Sequence, residues 1–465
     1  MIIDTERVEG ILASAAAREP SEAEVGEILS RASLLKGLSL EDCGTLLAIE
    51  DPGLLDRLYE RAGEVKTALF GKRIVLFAPL YLSNYCTNNC LYCGFRKDNS
   101  EAKRRTLTVD EAVVEARHLA GMGFHRLLLV SGEDRRESTL DHLIAVIEGI
   151  YRNTGIRIVH VNAAPMNVED LRRLKGAGTG VYQVFQETYH RPTYSHMHPS
   201  GKKRDYDYRL EVMERAMEAG FHDVGIGSLL GLYDYRFDTI ATIAHSYHLY
   251  ERYGTHAHTV SVPRLRPADG SGLIAPPAPV TDEEFKKIVA VYRLALPSAG
   301  VVVSTRESRE VRDAVMSVGA SQMSAGSRTD PGGYAIDTGT GDIPAGEVDT
   351  VEQFSTSDHR TVAEVMESIL DGGFIPSVCT SCYRVGRTGR EFTEKTLSGD
   401  MEKFCNANAI LTLQEFLLDH GANGIREKGE VAIEHALNGI REPSLKGEVV
   451  KRIGEIKGGK RDLFF

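Results

Sequence analysis

The spacing of apolar residues changes near residue 73. Before it, apolar side chains recur at intervals of three and four, as in Val25, Ile28 and Leu29, which predicts a helical extension. After it, short β-rich runs alternate with amphipathic segments, the pattern of parallel strands joined by crossover helices. Eight such runs can be counted, and eight strands close a TIM-type (β/α)8 barrel. The runs begin at Arg73, Arg126, Ile156, Gly180, Asp223, His258, Gly300 and Ala320.

The amphipathic segments between these runs predict the crossover helices, and the alternation ends well before the C-terminus. A stretch rich in Gly, Asp and Thr at 330–347 predicts a loop or linker, and the residues after it have mostly helical spacing. We therefore expect an α/β protein with an N-terminal helical extension (1–72), a barrel (73–345) and a mostly helical C-terminal domain (346–465). Four of the predicted crossover helices cover 110–119, 140–151, 168–174 and 285–296.

Composition favours an ordinary globular protein, with 42% hydrophobic and 26% charged residues. The net charge of -11 repels phosphate backbones and anionic lipids, so neither a nucleic acid nor a membrane is an expected partner. The first residues lack a basic segment followed by an apolar one, and no apolar run approaches the ~20 residues that span a bilayer. We therefore expect a cytoplasmic protein.

Six of the seven cysteines fall into two groups, which favours metal clusters over disulfides. The first group, Cys86-x3-Cys90-x2-Cys93, follows the first predicted strand, at the end of a barrel where catalysis takes place. Three thiolates on a four-iron cluster leave one iron open to a small molecule. A zinc site completed by a distant histidine, or three unrelated buried thiols, are the alternatives.

The spacing of this group, with Tyr92 before the last cysteine, resembles the signature of the radical S-adenosylmethionine (SAM) superfamily. In that family the open iron binds the amino and carboxylate groups of SAM, and one electron from the cluster cleaves SAM to a 5'-deoxyadenosyl radical. Ser131-Gly132-Glu133, at the end of the second predicted strand, is similar to the family's Gly-Gly-Glu, which holds the SAM ammonium group.

Polar residues and glycines also stand near the ends of other predicted strands. Gly225 and Gly227 would let a cofactor approach the backbone closely, although packing glycines are the alternative. The polar residues at these strand ends suit a zwitterionic amino acid as substrate, because an arginine can bind its carboxylate with two hydrogen bonds. We expect Arg306 to do so with help from Ser324. Glu187 is a further catalytic candidate, and we expect Arg264 to contact the cofactor.

The second group is Cys379-x2-Cys382-x22-Cys405, again with three ligands. A zinc ribbon would need a fourth ligand, and no histidine lies between Cys382 and Cys405, although a remote one could complete the set. The remaining thiol, Cys43, has no cysteine nearby in the sequence, and we expect it to be a buried apolar residue.

Over nearly the whole chain the sequence resembles the HydG family, the radical SAM tyrosine lyases of [FeFe]-hydrogenase maturation. The likeness is carried by residues 86–96, 183–190 and 197–201 and by the C-terminal cysteine triplet. The barrel alone is also similar to the tyrosine lyase of the thiamine pathway. The resemblance implies SAM, a [4Fe-4S] cluster on the first cysteine group, and an auxiliary [4Fe-4S] cluster with an additional labile iron on the second.

The implied reaction cleaves L-tyrosine at Cα–Cβ into p-cresol and dehydroglycine. Dehydroglycine then gives CO and cyanide at the auxiliary cluster, and an Fe–CO–CN precursor of the hydrogenase H-cluster leaves. A low-potential ferredoxin or flavodoxin would supply electrons, and hydrogenase maturation proteins would be partners. Two alternatives stay open: a tyrosine lyase that makes dehydroglycine for thiamine biosynthesis, and a non-catalytic iron-sulfur scaffold or electron carrier.

The resemblance also implies a histidine ligand for the labile iron, and His258 matches the family's residue. It opens the sixth predicted strand and should lie at the face of the barrel opposite Cys86. A histidine that is merely hydrogen-bonded at a strand start is the alternative. His256, two residues away and expected on the same strand face, is the competing ligand.

Overall fold

The computed structural model describes residues 2–336, 351–421 and 423–465. Its first part is a group of helices, as the apolar spacing predicts. Each begins where the side chain of the preceding Asp or Ser accepts a hydrogen bond from a backbone N–H of the first turn, which satisfies an otherwise unpaired donor. The helices are α1 (Thr5–Ala16), α2 (Glu22–Ala32), α3 (Leu40–Leu47) and α4 (Pro52–Phe70).

Eight parallel strands form a closed barrel, which confirms the predicted fold class. They are β1 (Arg73–Ser83), β2 (Arg126–Ser131), β3 (Ile158–Asn162), β4 (Thr179–Gln183), β5 (Asp223–Gly227), β6 (Thr259–Ser261), β7 (Gly300–Val303) and β8 (Gln322–Ser324). Neighbours follow the chain order from β2 to β8, and β1 closes the barrel by pairing with both β8 and β2. Every strand begins within two residues of its predicted start.

Helices connect the strands and cover the outside of the barrel. The four predicted crossover helices are present with slightly wider bounds, and capping Thr or Asn residues begin them. The helices of this part are α5 (Val109–Gly121), α6 (Leu140–Asn153), α7 (Val168–Gly176), α8 (Arg191–Met197), α9 (Tyr206–Leu210), α10 (Val212–Glu218), α11 (Tyr235–Tyr253), α12 (Asp282–Ala295), α13 (Arg309–Met316) and α14 (Gly333–Ile336), with a 3-10 turn at Lys202–Arg204.

A ninth strand, β9 (Ile375–Ser377), which the sequence did not predict, pairs in parallel with the first residues of β1. It has only three residues and contains Pro376, and a proline in so short a segment does not predict a strand. The proline is tolerated because β9 lies at the edge of the sheet, where β1 is the one described strand that pairs with it. Cys379 follows β9 by two residues, so this strand attaches the second cysteine group to the barrel.

The C-terminal part is mostly helical, as predicted. Its long helix α18 packs against α4, β9 and the two helices that follow it. The short helix α14 lies inside the predicted loop, whereas residues 337–350, with the predicted boundary between 345 and 346, lie outside the described residues. Within the described ranges, no helix has both the length and the apolar character needed to cross a membrane. The helices are α15 (Val362–Asp371), α16 (Ser381–Arg384), α17 (Gly389–Leu397), α18 (Asp400–Asp419), α19 (Asn423–Gly439) and α20 (Pro443–Lys457).

Cys43 lies fully buried in the apolar core of the N-terminal helices, which confirms that prediction. A Cys43→Ser variant puts a hydroxyl into this core, so we expect unfolding to become easier by about 1–3 kcal/mol and the thermal midpoint to fall. A Cys43→Ala variant should lose less stability. Both should keep the wild-type content of bound iron, and loss of iron from either variant would contradict a purely structural role.

Candidate active site and auxiliary cysteine site

The loop that follows β1 holds Cys86, Cys90 and Cys93 at the carboxyl end of the barrel. Their thiols form no disulfide and line one cavity of about 200 Å³, here called the upper cavity. The loop is fixed by backbone hydrogen bonds, since Thr87 N–H donates to the carbonyl of Glu133 at 3.1 Å and Leu91 N–H donates to that of Met197 at 3.1 Å. The residues that follow β2 and the end of α8 therefore fix the loop's position.

Burial raises the pKa of all three upper thiols, that of Cys86 to about 11. Among the described residues, no three His, Cys, Asp or Glu side chains stand close enough together to hold a single metal ion. A zinc ion would need ligand sulfurs at roughly 2.3 Å from one point, whereas each thiol of a four-iron cluster binds an iron of its own. The donor set of three separate free thiols around one cavity therefore fits such a cluster.

Two buried ion pairs lie beside these cysteines. Arg209 Nη1 is 2.8 Å from Glu133 Oε1, and Lys203 Nζ is 2.6 Å from Glu187 Oε1. Burial alone would raise the pKa of both carboxyl groups, but the Arg209 and Lys203 cations hold them below their usual values. Asn88 Nδ2 donates to Glu133 Oε2 at 2.7 Å, which links this carboxylate to the cysteine loop. Glu187 lines the cavity as predicted, but it is already paired and is a weak base.

Arg306 and Ser324 line the upper cavity, as the sequence predicts. The guanidinium carbon of Arg306 lies 3.2 Å from the centre of the Phe354 ring. Burial lowers the pKa of Arg306 to about 10, so the side chain stays charged at neutral pH. In the described part of the chain, no carboxylate forms an ion pair with it, which leaves its charge available to a substrate carboxylate.

Ser131, Gly132 and Tyr92 also line the upper cavity. A Cβ on Gly132 would lie 2.2 Å from the carbonyl oxygen of Tyr85, so only glycine lets β2 end so close to the cysteine loop. The Tyr92 hydroxyl is hydrogen-bonded to His198 Nε2 at 2.8 Å, which orients the ring.

Three residues expected to contact the cofactor lie outside the lining of the upper cavity: Gly225, Gly227 and Arg264. A Cβ on Gly225 would lie 2.6 Å from Thr259 Oγ1, and one on Gly227 would lie 2.8 Å from the carbonyl oxygen of Ser261. These glycines therefore let the neighbouring strand β6 approach closely, and their expected role toward a cofactor stays a prediction. The Arg264 guanidinium is held instead in ion pairs with Glu307 and Asp282, partners that its sequence position did not reveal.

The second cysteine group lies at the amino end of the barrel. Cys379 and Cys382 line a smaller cavity, the lower cavity, together with Arg73, Arg126 and His258. Burial, followed by the neighbouring thiols of Cys405 and Cys379, raises the pKa of Cys382 to about 12. Cys405 reaches this group from α18 and is buried. The two groups thus stand at opposite ends of the barrel.

His258 reaches the lower cavity, and His256 does not line it. The Nε2 atom of His258 is hydrogen-bonded to the Tyr383 hydroxyl at 2.9 Å, and its Nδ1 atom lies 3.3 Å from Asp223 Oδ1. The His256 ring stacks on Tyr250 of α11, with ring centres 4.4 Å apart. The expectation of a shared strand face was wrong, because β6 begins only at Thr259 and strand alternation does not apply before it.

The upper and lower cavities share two wall residues, Arg126 and Gln322. They are the first residues of β2 and β8, and Arg126 Nη1 donates to Gln322 Oε1 at 3.1 Å. Sequence reasoning missed both, although a charged residue at the start of an apolar strand is a visible signal. It also missed Lys203 and Arg209, which come from a connection between β4 and β5 and carry no recognisable spacing.

Comparisons with known proteins agree with this geometry. The Radical SAM superfamily matches residues 80–246, and the Biotin and Thiamin Synthesis associated domain matches residues 261–375. The 2-iminoacetate synthase of Escherichia coli (strain K12) is 33% identical over 349 residues, which are 75% of this chain and 89% of that protein.

Two solved structures resemble the chain over almost its whole length. A crystal structure of HydG, described as a maturase of the [FeFe]-hydrogenase, is 43% identical, with a TM-score of 0.94 and complete coverage of both chains. HydG from Carboxydothermus hydrogenoformans is 37% identical, with a TM-score of 0.83 and 97% coverage of each chain. The chain therefore belongs to the family of radical SAM lyases that includes the HydG maturases and 2-iminoacetate synthase.

Proposed function

We propose that this enzyme cleaves L-tyrosine into p-cresol and dehydroglycine, and then converts dehydroglycine to CO and cyanide for an Fe–CO–CN precursor of the hydrogenase H-cluster. The observation that carries the proposal is the presence of two sets of three free cysteines at opposite ends of one barrel. A lyase that stopped at dehydroglycine would need only the upper set. The likeness to HydG over the whole chain supports the longer sequence of reactions.

At the upper site, Cys86, Cys90 and Cys93 would hold a [4Fe-4S] cluster, which supplies the electron that cleaves bound SAM to a 5'-deoxyadenosyl radical. Glu133 is fixed by Arg209 and Asn88, so its carboxylate and the backbone around it form a rigid edge of the cavity. A rigid acceptor there suits the SAM ammonium group. A low-potential ferredoxin or flavodoxin would deliver the electron.

Arg306 would bind the carboxylate of L-tyrosine with two parallel hydrogen bonds, and the Ser324 hydroxyl would donate a further one. The pair between Glu187 and Lys203 lines the same cavity and would give the substrate ammonium group a carboxylate neighbour. Glu187 is held with a φ of 72°, a conformation that costs energy for a residue with a side chain. Such strain at a cavity wall is typical of a functional position.

At the lower site, Cys379, Cys382 and Cys405 would hold the auxiliary [4Fe-4S] cluster, and His258 would supply a ligand for the labile iron. Asp223, beside Nδ1 of the imidazole, would orient the ring and keep Nε2 directed into the lower cavity, as carboxylates do behind metal-binding histidines. Nε2 would then exchange its hydrogen bond with Tyr383 for the iron.

The second candidate is a tyrosine lyase that makes dehydroglycine for thiamine biosynthesis. The 33% identity to 2-iminoacetate synthase favours it for the barrel. That match covers 75% of this chain, and it offers no use for a cysteine set at the opposite end of the barrel. We therefore rank this function second.

We expect an Arg306→Gln variant to raise the KM for L-tyrosine by about tenfold or more, because a charged hydrogen bond to the carboxylate is lost. Turnover at saturating tyrosine should fall less. Arg309→Gln is the matched control, since the Arg309 side chain is exposed and pairs only loosely with Asp313. Steady-state p-cresol formation measures both, and an unchanged KM in Arg306→Gln would remove Arg306 from the substrate site.

A Cys379→Ala/Cys382→Ala double variant should still form p-cresol but lose cyanide and CO, because only the lower cluster is removed. Cys43→Ala is the control for loss of a buried thiol without loss of a ligand. Products are quantified after anaerobic turnover with SAM, dithionite and tyrosine. Unchanged cyanide in the double variant would refute the role of the lower cluster.

A further inference from the structure

Arg126 occupies the junction between the upper and lower cavities. Its side chain is buried, with only 6% of the residue exposed. It lies in the wall of both cavities, and Nη2 donates at 3.0 Å to the carbonyl of Cys379, the first ligand candidate of the lower set. The same side chain thus borders both cavities.

The charge of Arg126 is not compensated by any anion among the described residues. Its two hydrogen-bond acceptors, the Gln322 amide and the Cys379 carbonyl, are neutral, and its Nε has no partner. Burial and the Arg126 cation itself hold the pKa of neighbouring His160 well below its usual value, so that ring is neutral too. Tyr383 offers only a ring, 5.6 Å from the guanidinium carbon. The neutral partners of Arg126 leave the guanidinium able to bind a carboxylate through two parallel hydrogen bonds.

We propose that Arg126 binds the carboxylate of dehydroglycine and directs this fragment from the upper cavity to the lower one. The inference rests on the proposed function, which yields two products of different charge. Dehydroglycine carries a carboxylate that suits a guanidinium, whereas p-cresol, with a phenol pKa of about 10, is neutral at pH 7. The imine N–H can donate to Gln322 Oε1. Arg126 therefore selects the fragment that goes on to react.

A fragment that is not captured has a defined fate. Dehydroglycine reacts with water to give glyoxylate and ammonia, since water adds across C=N and the nitrogen leaves as ammonia without any change in oxidation state. The ratio of glyoxylate to cyanide plus CO therefore measures how much of the fragment fails to reach the lower site. p-Cresol counts the fragments formed, whatever happens to them later.

Gln322 allows the charge of Arg126 to be cancelled without removing it. Since Gln322 Oε1 already accepts from Nη1, a Gln322→Glu variant places a carboxylate in the same position and forms an ion pair. The fragment's carboxylate then has to compete with a built-in one. Arg126→Gln removes the cation, and Arg126→Lys keeps a cation without the two-pronged geometry.

The test compares these three variants with the wild-type enzyme during anaerobic turnover, and the auxiliary cluster is counted in each by iron content and EPR. Arg126→Gln and Gln322→Glu should keep p-cresol formation and both clusters while cyanide and CO fall about tenfold or more and glyoxylate rises. Arg126→Lys should give yields of cyanide, CO and glyoxylate between those of these two variants and those of the wild type. Calorimetric titration with oxamate, a planar carboxylate of similar size, should show weaker binding in the first two variants and unchanged binding of L-tyrosine.

Suppose that Gln322→Glu contains both clusters and still gives the same ratio of glyoxylate to cyanide as the wild type. That result would overturn this proposal even if Arg126→Gln failed to fold. So would equal oxamate affinity in all four proteins. If the wild-type enzyme forms no p-cresol, the proposed function fails and this proposal fails with it. If the wild type forms every product and the variants give the same product ratios, only the proposed role of Arg126 is refuted and the proposed function stands.

Discussion

One strand ties both reactive ends of this enzyme together. β1 has 11 residues, a length of roughly 36 Å at about 3.3 Å per residue. Its carboxyl end leads into the loop of Cys86, and its first residues pair with β9, which leads to Cys379. β1 also closes the barrel between β8 and β2. Any change that frees β1 from its neighbours would therefore open the barrel and separate the two cysteine sets.

The two ends differ in how their buried charges are balanced. At the upper end, Glu133 and Glu187 are paired with cations of the protein, as in Glu133 with Arg209, whereas Arg306 has no carboxylate partner among the described residues. At the lower end, Arg73 lines the cavity beside the second cysteine set, and ionised thiols of that set would stabilise its charge. Burial opposes that ionisation, so a bound metal cluster, which deprotonates its thiol ligands, would supply the missing negative charge. Cluster binding and stability should thus be coupled most strongly at the lower end.

The sequence predicted the parts of the structure that local patterns control. Apolar runs reveal barrel strands, and cysteine spacing reveals the two ligand sets, because both signals depend on residues that lie close together in the sequence. β9 was missed because pairing with β1 stabilises a three-residue strand with a proline that local preference would reject. The ion pair of Arg264 with Glu307 was not predicted because the two residues lie 43 positions apart in the sequence. Lys203 and Arg209 reach the upper cavity from a connection whose path only the folded barrel determines.

The central claim is that tyrosine is cleaved at one end of the barrel and its two-carbon fragment is used at the other. The most direct measurement is anaerobic turnover of uniformly carbon-13-labelled L-tyrosine with SAM and dithionite, in which all products are quantified together. We predict 5'-deoxyadenosine and p-cresol accompanied by labelled CO and labelled cyanide. Labelled glyoxylate and p-cresol without CO or cyanide would contradict the account, and so would a reduced protein that leaves SAM intact.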